Sequence, residues 1–186
     1  MRLRGQRVLA LAAIVLIALS SLASAQSGRR SKKTQEPQAA PATPADKRDR
    51  VVAAPGTPFH GKSYWQAAAQ CGGTYFKLGG IYSDAAIKAK LVKPDPAAYT
   101  QSTKDADAAR RAATTFFEVA ERFLIADRKV TRDDAVMIYD GLSSSTGDRL
   151  KALESANQAA KPCPDLYKTC RASFPQVCSD ASALTN

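Results

Sequence analysis

Residues 104–128 read KDADAARRAATTFFEVAERFLIADR, and this stretch decides the fold. Ala109, Ala112, Phe116, Ala120 and Phe123 recur at helical spacing, while Ala113, Phe117 and Leu124 widen the apolar stripe beside them. The pattern predicts a core helix about 35 Å long. Thr103 stands where an N-cap is needed, Asp105 and Asp107 fall near the positive end of the helix dipole, and Arg128 and Lys129 fall at the negative end. A helix that carries both Phe116 and Phe117 must be covered by partners, so the core is expected around Phe116, Phe117, Phe123 and Leu124.

Downstream, Thr131 precedes Asp133 and Asp134 as a cap precedes an acidic first turn, and Ala135, Ile138, Tyr139 and Leu142 form the stripe of a second helix. Leu150, Leu153, Asn157 and Ala160 continue the same phase. The intervening residues 141–147, GLSSSTG, are poor helix formers, so one bent helix and two helices joined by a loop fit equally well. Pro162 closes this element, a short helix is expected over residues 164–174, and Pro175 stops it.

Upstream, residues 59–92 read as a helix with Trp65, Ala68, Ala69, Gly72, Phe76, Gly79 and Ala86 on one stripe. Gly72-Gly73 and Gly79-Gly80 each weaken that helix by about 1 kcal/mol per glycine relative to Ala, which implies either close approach of a neighbour or a break. Pro94 and Pro96 predict a connection over residues 93–102. The chain is rich in Ala and its aromatic share is 7%, which favours closely packed helices over a β-sandwich. The expected fold is therefore all-α: a single irregular bundle of four to five helices stapled by disulfides, with its core over about residues 61–178 of a helical domain at 61–186. No repeat period emerges.

Two segments precede that domain. Residues 1–25 read as a signal peptide: Arg2, Arg4 and Arg7, then an apolar run over 8–22, then Ala23-Ser24-Ala25. The apolar run is shorter than the ~20 residues that span hydrocarbon, so cleavage near Ala25 and a periplasmic or extracellular product are expected. Residues 26–60 mix Pro, Ala, Gln, Lys and Arg with few large apolar side chains and read as a disordered basic linker. The net charge of +10 divides as +3 over residues 1–25, +4 over 26–61 and +3 over 62–186. The folded part is thus nearly balanced, which excludes a nucleic-acid-binding face as the reading of the high pI. The linker residues Arg29, Arg30, Lys32, Lys33, Lys47, Arg48 and Arg50 offer contact with an anionic membrane surface, each charge adding about 1 kcal/mol there.

Cys71, Cys163, Cys170 and Cys178 are the most informative set. An even number of cysteines in an exported chain implies two disulfides. Zinc would want a closely spaced Cys pair with His nearby, and a thioredoxin-like site would want Cys-x-x-Cys; neither spacing is present. Three connectivities are possible. Cys163 and Cys170 lie about 10 Å apart along a continuous helix, beyond disulfide reach, so Cys71 ties the first helix to one of them. The expected pairing is Cys71–Cys170 with Cys163–Cys178.

Little else carries chemistry. His60, the sole histidine, stands at the linker boundary, far from the cleft a catalytic triad needs. Glu118 and Arg122 are spaced for an i,i+4 ion pair, and Ser143-Ser144-Ser145 lacks the flanks of a nucleophile elbow or phosphate loop. Neither a cofactor nor a metal is expected. Tyr64, Trp65, Tyr75, Phe76, Tyr82, Tyr99, Tyr139 and Tyr167 mostly fill core volume, with room for a small apolar groove between helices. The function expected is that of a non-enzymatic envelope protein presenting its helices to another envelope protein or to a small apolar ligand. The alternative is an envelope hydrolase with a carboxylate-based site.

Overall fold

The computed structural model describes residues 47–178. Its helices are α1 (Tyr64–Leu91), α2 (Pro96–Arg128), α3 (Arg132–Arg149), α4 (Leu153–Ala160) and α5 (Cys163–Ser173), followed by the single turn α6 (Pro175–Cys178). The all-α bundle and its two disulfides are thus present. Among the described residues no helix is long and apolar enough to cross a membrane. The expected signal peptide, the linker cations Arg29, Arg30, Lys32 and Lys33, and residues 179–186 lie outside the described residues.

The stripe on α2 organises the core. Phe116, Phe123 and Leu124 are almost completely buried. Tyr64 stacks on Phe123 at 5.1 Å between centroids and Tyr75 on Phe116 at 5.8 Å. Phe117 is only half-buried; it stacks on Tyr139 of α3 at 5.4 Å and lies over Gly72.

α2 starts earlier than its periodicity predicts. Asp95 is the N-cap, its Oδ1 accepting from the Ala98 amide at 2.9 Å, and Pro96 occupies the first helical position. A proline there loses nothing, because that N–H has no intrahelical acceptor and the fixed φ already suits a helix. The expected connection at 93–102 therefore shrinks to a few residues, and the Thr103 hydroxyl, in mid-helix, donates to the Tyr99 carbonyl. At the other end of α2, Lys129 takes a left-handed conformation at φ 57° and ends the helix. Thr131 caps α3 as expected, accepting from the Asp134 amide at 3.2 Å.

The run GLSSSTG stays helical; the break falls beyond it, between Arg149 and Leu153. The reason is a backbone crossing of α1 and α3. A Cβ on Gly73 would collide with the Ser143 carbonyl, and one on Gly147 would sit 3.3 Å from the Gly73 carbonyl. The small residues that make the segment a weak helix former are those that let α3 approach α1. Gly80, by contrast, faces open space. Gly73→Ala is expected to destabilise the fold by about 1–3 kcal/mol through overpacking. Gly80→Ala should stabilise it by about 0.5–1 kcal/mol. Urea unfolding with the disulfides intact checks both, and equal effects at the two sites would contradict the crossing.

Phe76 departs from the expected stripe. It is 67% exposed, at the edge of the α1–α3 crossing, where it lines a shallow groove with Phe117 and Ser144 instead of entering the core.

The domain also begins before Gly61. Residues 50–52 return along 61–64 in an antiparallel pairing: the Val52 amide donates to the Lys62 carbonyl at 2.8 Å, the Gly61 amide to Val52 at 3.0 Å and the Tyr64 amide to Arg50 at 2.9 Å. Val52 and Phe59 are buried. The segment expected to be linker up to residue 60 is therefore ordered from Asp49 onward. Its composition hides this, because the ordering comes from ion pairs with the far end of α2.

The disulfides join Cys71 to Cys163 and Cys170 to Cys178. This corrects the expected pairing of Cys71 with Cys170 and Cys163 with Cys178. Cys163 opens α5 beside α1, and the chain reverses after Ser173, so α6 carries Cys178 back onto the end of α5. The Tyr167 hydroxyl donates to the Cys178 carbonyl at 3.1 Å and holds that return. Two disulfides point to an oxidising location.

Candidate functional site

Three places concentrate chemistry. The first is a polar clasp at the start of the ordered chain. Asp49 has a fully buried side chain. Its Oδ2 accepts from the Ser63 hydroxyl at 2.7 Å, from Trp65 Nε1 at 2.8 Å and from Arg128 Nη2 at 2.7 Å, while Oδ1 accepts from Arg128 Nε at 2.9 Å. The Arg128 guanidinium lies over the Trp65 ring at 5.0 Å. Burial by itself would raise the Asp49 pKa, but the hydrogen bonds from Arg128, Ser63 and Trp65 and the Arg128 charge outweigh it and hold the carboxyl below its ordinary value. This carboxylate is built to stay ionised.

Arg50, the next residue, is engaged within the fold. Its backbone amide and Nε donate to the two carboxylate oxygens of Asp127 at 3.0 and 2.8 Å. Its guanidinium is held between Phe123 and Phe174, at 4.6 and 4.9 Å from the ring centroids. Lys47 and Arg48 are exposed ahead of it. His60 is exposed in the turn before α1. Glu118 and Arg122 make the expected i,i+4 pair at 3.8 Å on the surface. Ser143 is a buried helical residue whose hydroxyl donates to the Asp140 carbonyl.

The second place is a groove of about 410 Å³ between α1, α2 and the corner from α4 to α5. The buried residues Leu78, Ala109 and Ala112 form its floor, with Tyr75 and Tyr82 alongside. Burial raises the Tyr75 pKa, so its hydroxyl stays protonated. Arg111 and Lys161 are exposed at the edge, and the half-buried Asp105, whose Oδ1 accepts from Gln101 at 2.8 Å, also lines the groove. The groove lies where α2 presents small residues, Ala108, Ala109 and Ala112, opposite Asn157 and Ala160 of α4. The Ala-rich run at 106–113 is the sequence signal for it.

The third place is the closed end of the α1–α2 hairpin, residues 82–106, where only Ala86 and Ala106 are buried. A second groove of about 380 Å³ runs between the helices there, beside Ile87, Leu91 and Tyr99. Sequence periodicity does not single out this end, because which faces stay uncovered is set by packing.

Among the described residues no group of three or more His, Cys, Asp or Glu side chains could hold a metal ion. Comparison with protein-family models, with characterised proteins and with solved structures finds no match to this chain.

Proposed function

We propose that the protein is exported and acts without catalysis as a binding protein, taking a small, largely apolar ligand with an anionic end in the groove between α1, α2 and the α4–α5 corner. The observation that carries this reading is the groove itself: about 410 Å³, within the size range of small-molecule sites, with an apolar floor at Leu78, Ala109 and Ala112 and two cations at the rim. Arg111 and Lys161 suit an anionic headgroup, and the Tyr75 hydroxyl supplies a neutral donor. The hydrolase alternative is less well supported, because the most buried carboxylate among the described residues, Asp49, is held ionised by Arg128, the reverse of what a general acid needs. Export follows from the leader-like residues 1–25 and agrees with the two disulfides.

Titration with an apolar fluorescent sulfonate or a medium-chain fatty acid tests the reading. Saturable binding is expected, weakened at least tenfold, about 1.4 kcal/mol, by Ala108→Trp, which fills the groove from its exposed edge. Arg111→Gln should weaken the anionic ligand and leave a neutral analogue unaffected. If Ala108→Trp binds as the unsubstituted protein does, the groove is not the site.

A further inference from the structure

We propose that the closed end of the α1–α2 hairpin is a docking tip for an anionic lipid bilayer. Residues 87–93 read IKAKLVK and form the end of α1 and its exit. Ile87, Leu91 and Val92 are 55%, 72% and 77% exposed. Lys88, Lys90 and Lys93 are exposed among them. No acidic residue stands between Asp84 and Asp95, and among the described residues none of the three lysines pairs with a carboxylate. Tyr99 faces this end from α2, with the Lys90 ammonium 5.6 Å from its ring centroid.

A helix C-terminus accounts for lysines through its dipole. It gives no reason to leave three large aliphatic side chains in water. Interleaved aliphatics and lysines with an amphipathic aromatic beside them match a bilayer surface, where the apolar groups enter the acyl boundary and the cations meet headgroup phosphates. A folded protein partner fits less well, because a stable interface covers about 800 Å² and 20–30 residues per partner, and the seven residues 87–93 with Tyr99 offer far fewer. The expected basic contact with an anionic surface thus gains a structured site: Arg50 is committed to Asp127, whereas Lys88, Lys90 and Lys93 stand beside apolar groups able to insert.

The test is cosedimentation of the full exported chain with vesicles of phosphatidylglycerol and phosphatidylethanolamine, against neutral phosphatidylcholine vesicles, at about 0.1 M and about 1 M salt. Binding to the anionic vesicles is expected, reduced by high salt. Leu91→Ser/Val92→Ser should weaken it at least tenfold, and Lys88→Gln/Lys90→Gln/Lys93→Gln roughly a hundredfold, at about fivefold per charge. Neither variant should shift the melting temperature, since all five side chains are exposed. In a Leu91→Trp variant, anionic vesicles should blue-shift the added fluorescence, Trp65 being buried in the core. Absence of vesicle binding overturns the proposal. So does equal binding to neutral lipid, or binding that survives both tip variants and disappears when Arg29, Arg30, Lys32 and Lys33 are changed to Gln.

Discussion

Replacing Cys71 and Cys163 together by Ala should lower the unfolding free energy by about 4.6 kcal/mol, whereas replacing Cys170 and Cys178 should lower it by about 2.5 kcal/mol. The difference comes from the chain each bridge closes: the partners are 92 residues apart in the first and 8 in the second. A longer loop has more conformations to lose when cross-linked, so its bridge removes more entropy from the unfolded state. The Cys71–Cys163 bridge also fastens α1 to the start of α5; all four cysteines are buried, so truncation adds a packing loss in both variants. Single domains unfold with only about 5–15 kcal/mol, so loss of this bridge consumes much of the margin. Urea titrations of the two double variants measure the difference. A larger cost for the short loop would count against the chain-entropy account, and peptide mapping without reductant that found Cys71 joined to Cys170 would overturn the pairing outright.

Asp49→Asn should cost about 3–5 kcal/mol at neutral pH, the range for removing one partner of a buried ion pair. The carboxylate serves Ser63, Trp65 and Arg128 at once, and the Arg128 side chain is only 11% exposed, so an amide removes the charge that faces a nearly buried guanidinium. The pH dependence follows from the lowered pKa of Asp49. An unfolded carboxyl titrates near pH 3.9, so the stabilisation is complete above that value and is lost as pH falls through the lower, folded one. The gap between the native protein and Asp49→Asn should therefore be constant near neutrality and narrow below about pH 4. Denaturation at several pH values checks this, and a gap that widens in acid would mean that the ionised form is not what stabilises the clasp. Asp127→Asn should cost less, because its partner Arg50 remains 31% exposed and keeps two aromatic neighbours.

How much of this was legible beforehand depends on the range of the interaction involved. The all-α class, the apolar stripe of α2, the Thr131 cap, the Glu118–Arg122 pair and the oxidised state of the cysteines were all readable in the sequence. Each depends on residues within about four positions of one another, or on composition, and a linear chain displays both directly. The start of α2 is equally local but departs from the expectation, because Pro96, which reads as a breaker, suits the first helical turn.

The sequence allows a groove between Ala-rich helices without placing it, and it carries no sign of the hairpin tip. Both depend on which faces remain uncovered after packing. The same holds for Phe76, left exposed where α3 crosses at Gly73, and for the order of residues 49–60, secured by Arg128 and Asp127 nearly eighty positions away. By itself, then, the sequence determined that this chain makes capped, amphipathic helices around Phe116, Phe123 and Leu124 and oxidises its cysteines. Only the tertiary structure decided which cysteines meet, where the ordered domain begins and which surfaces stay open, because these follow from where helices cross, and a crossing depends on the shape of both partners at once.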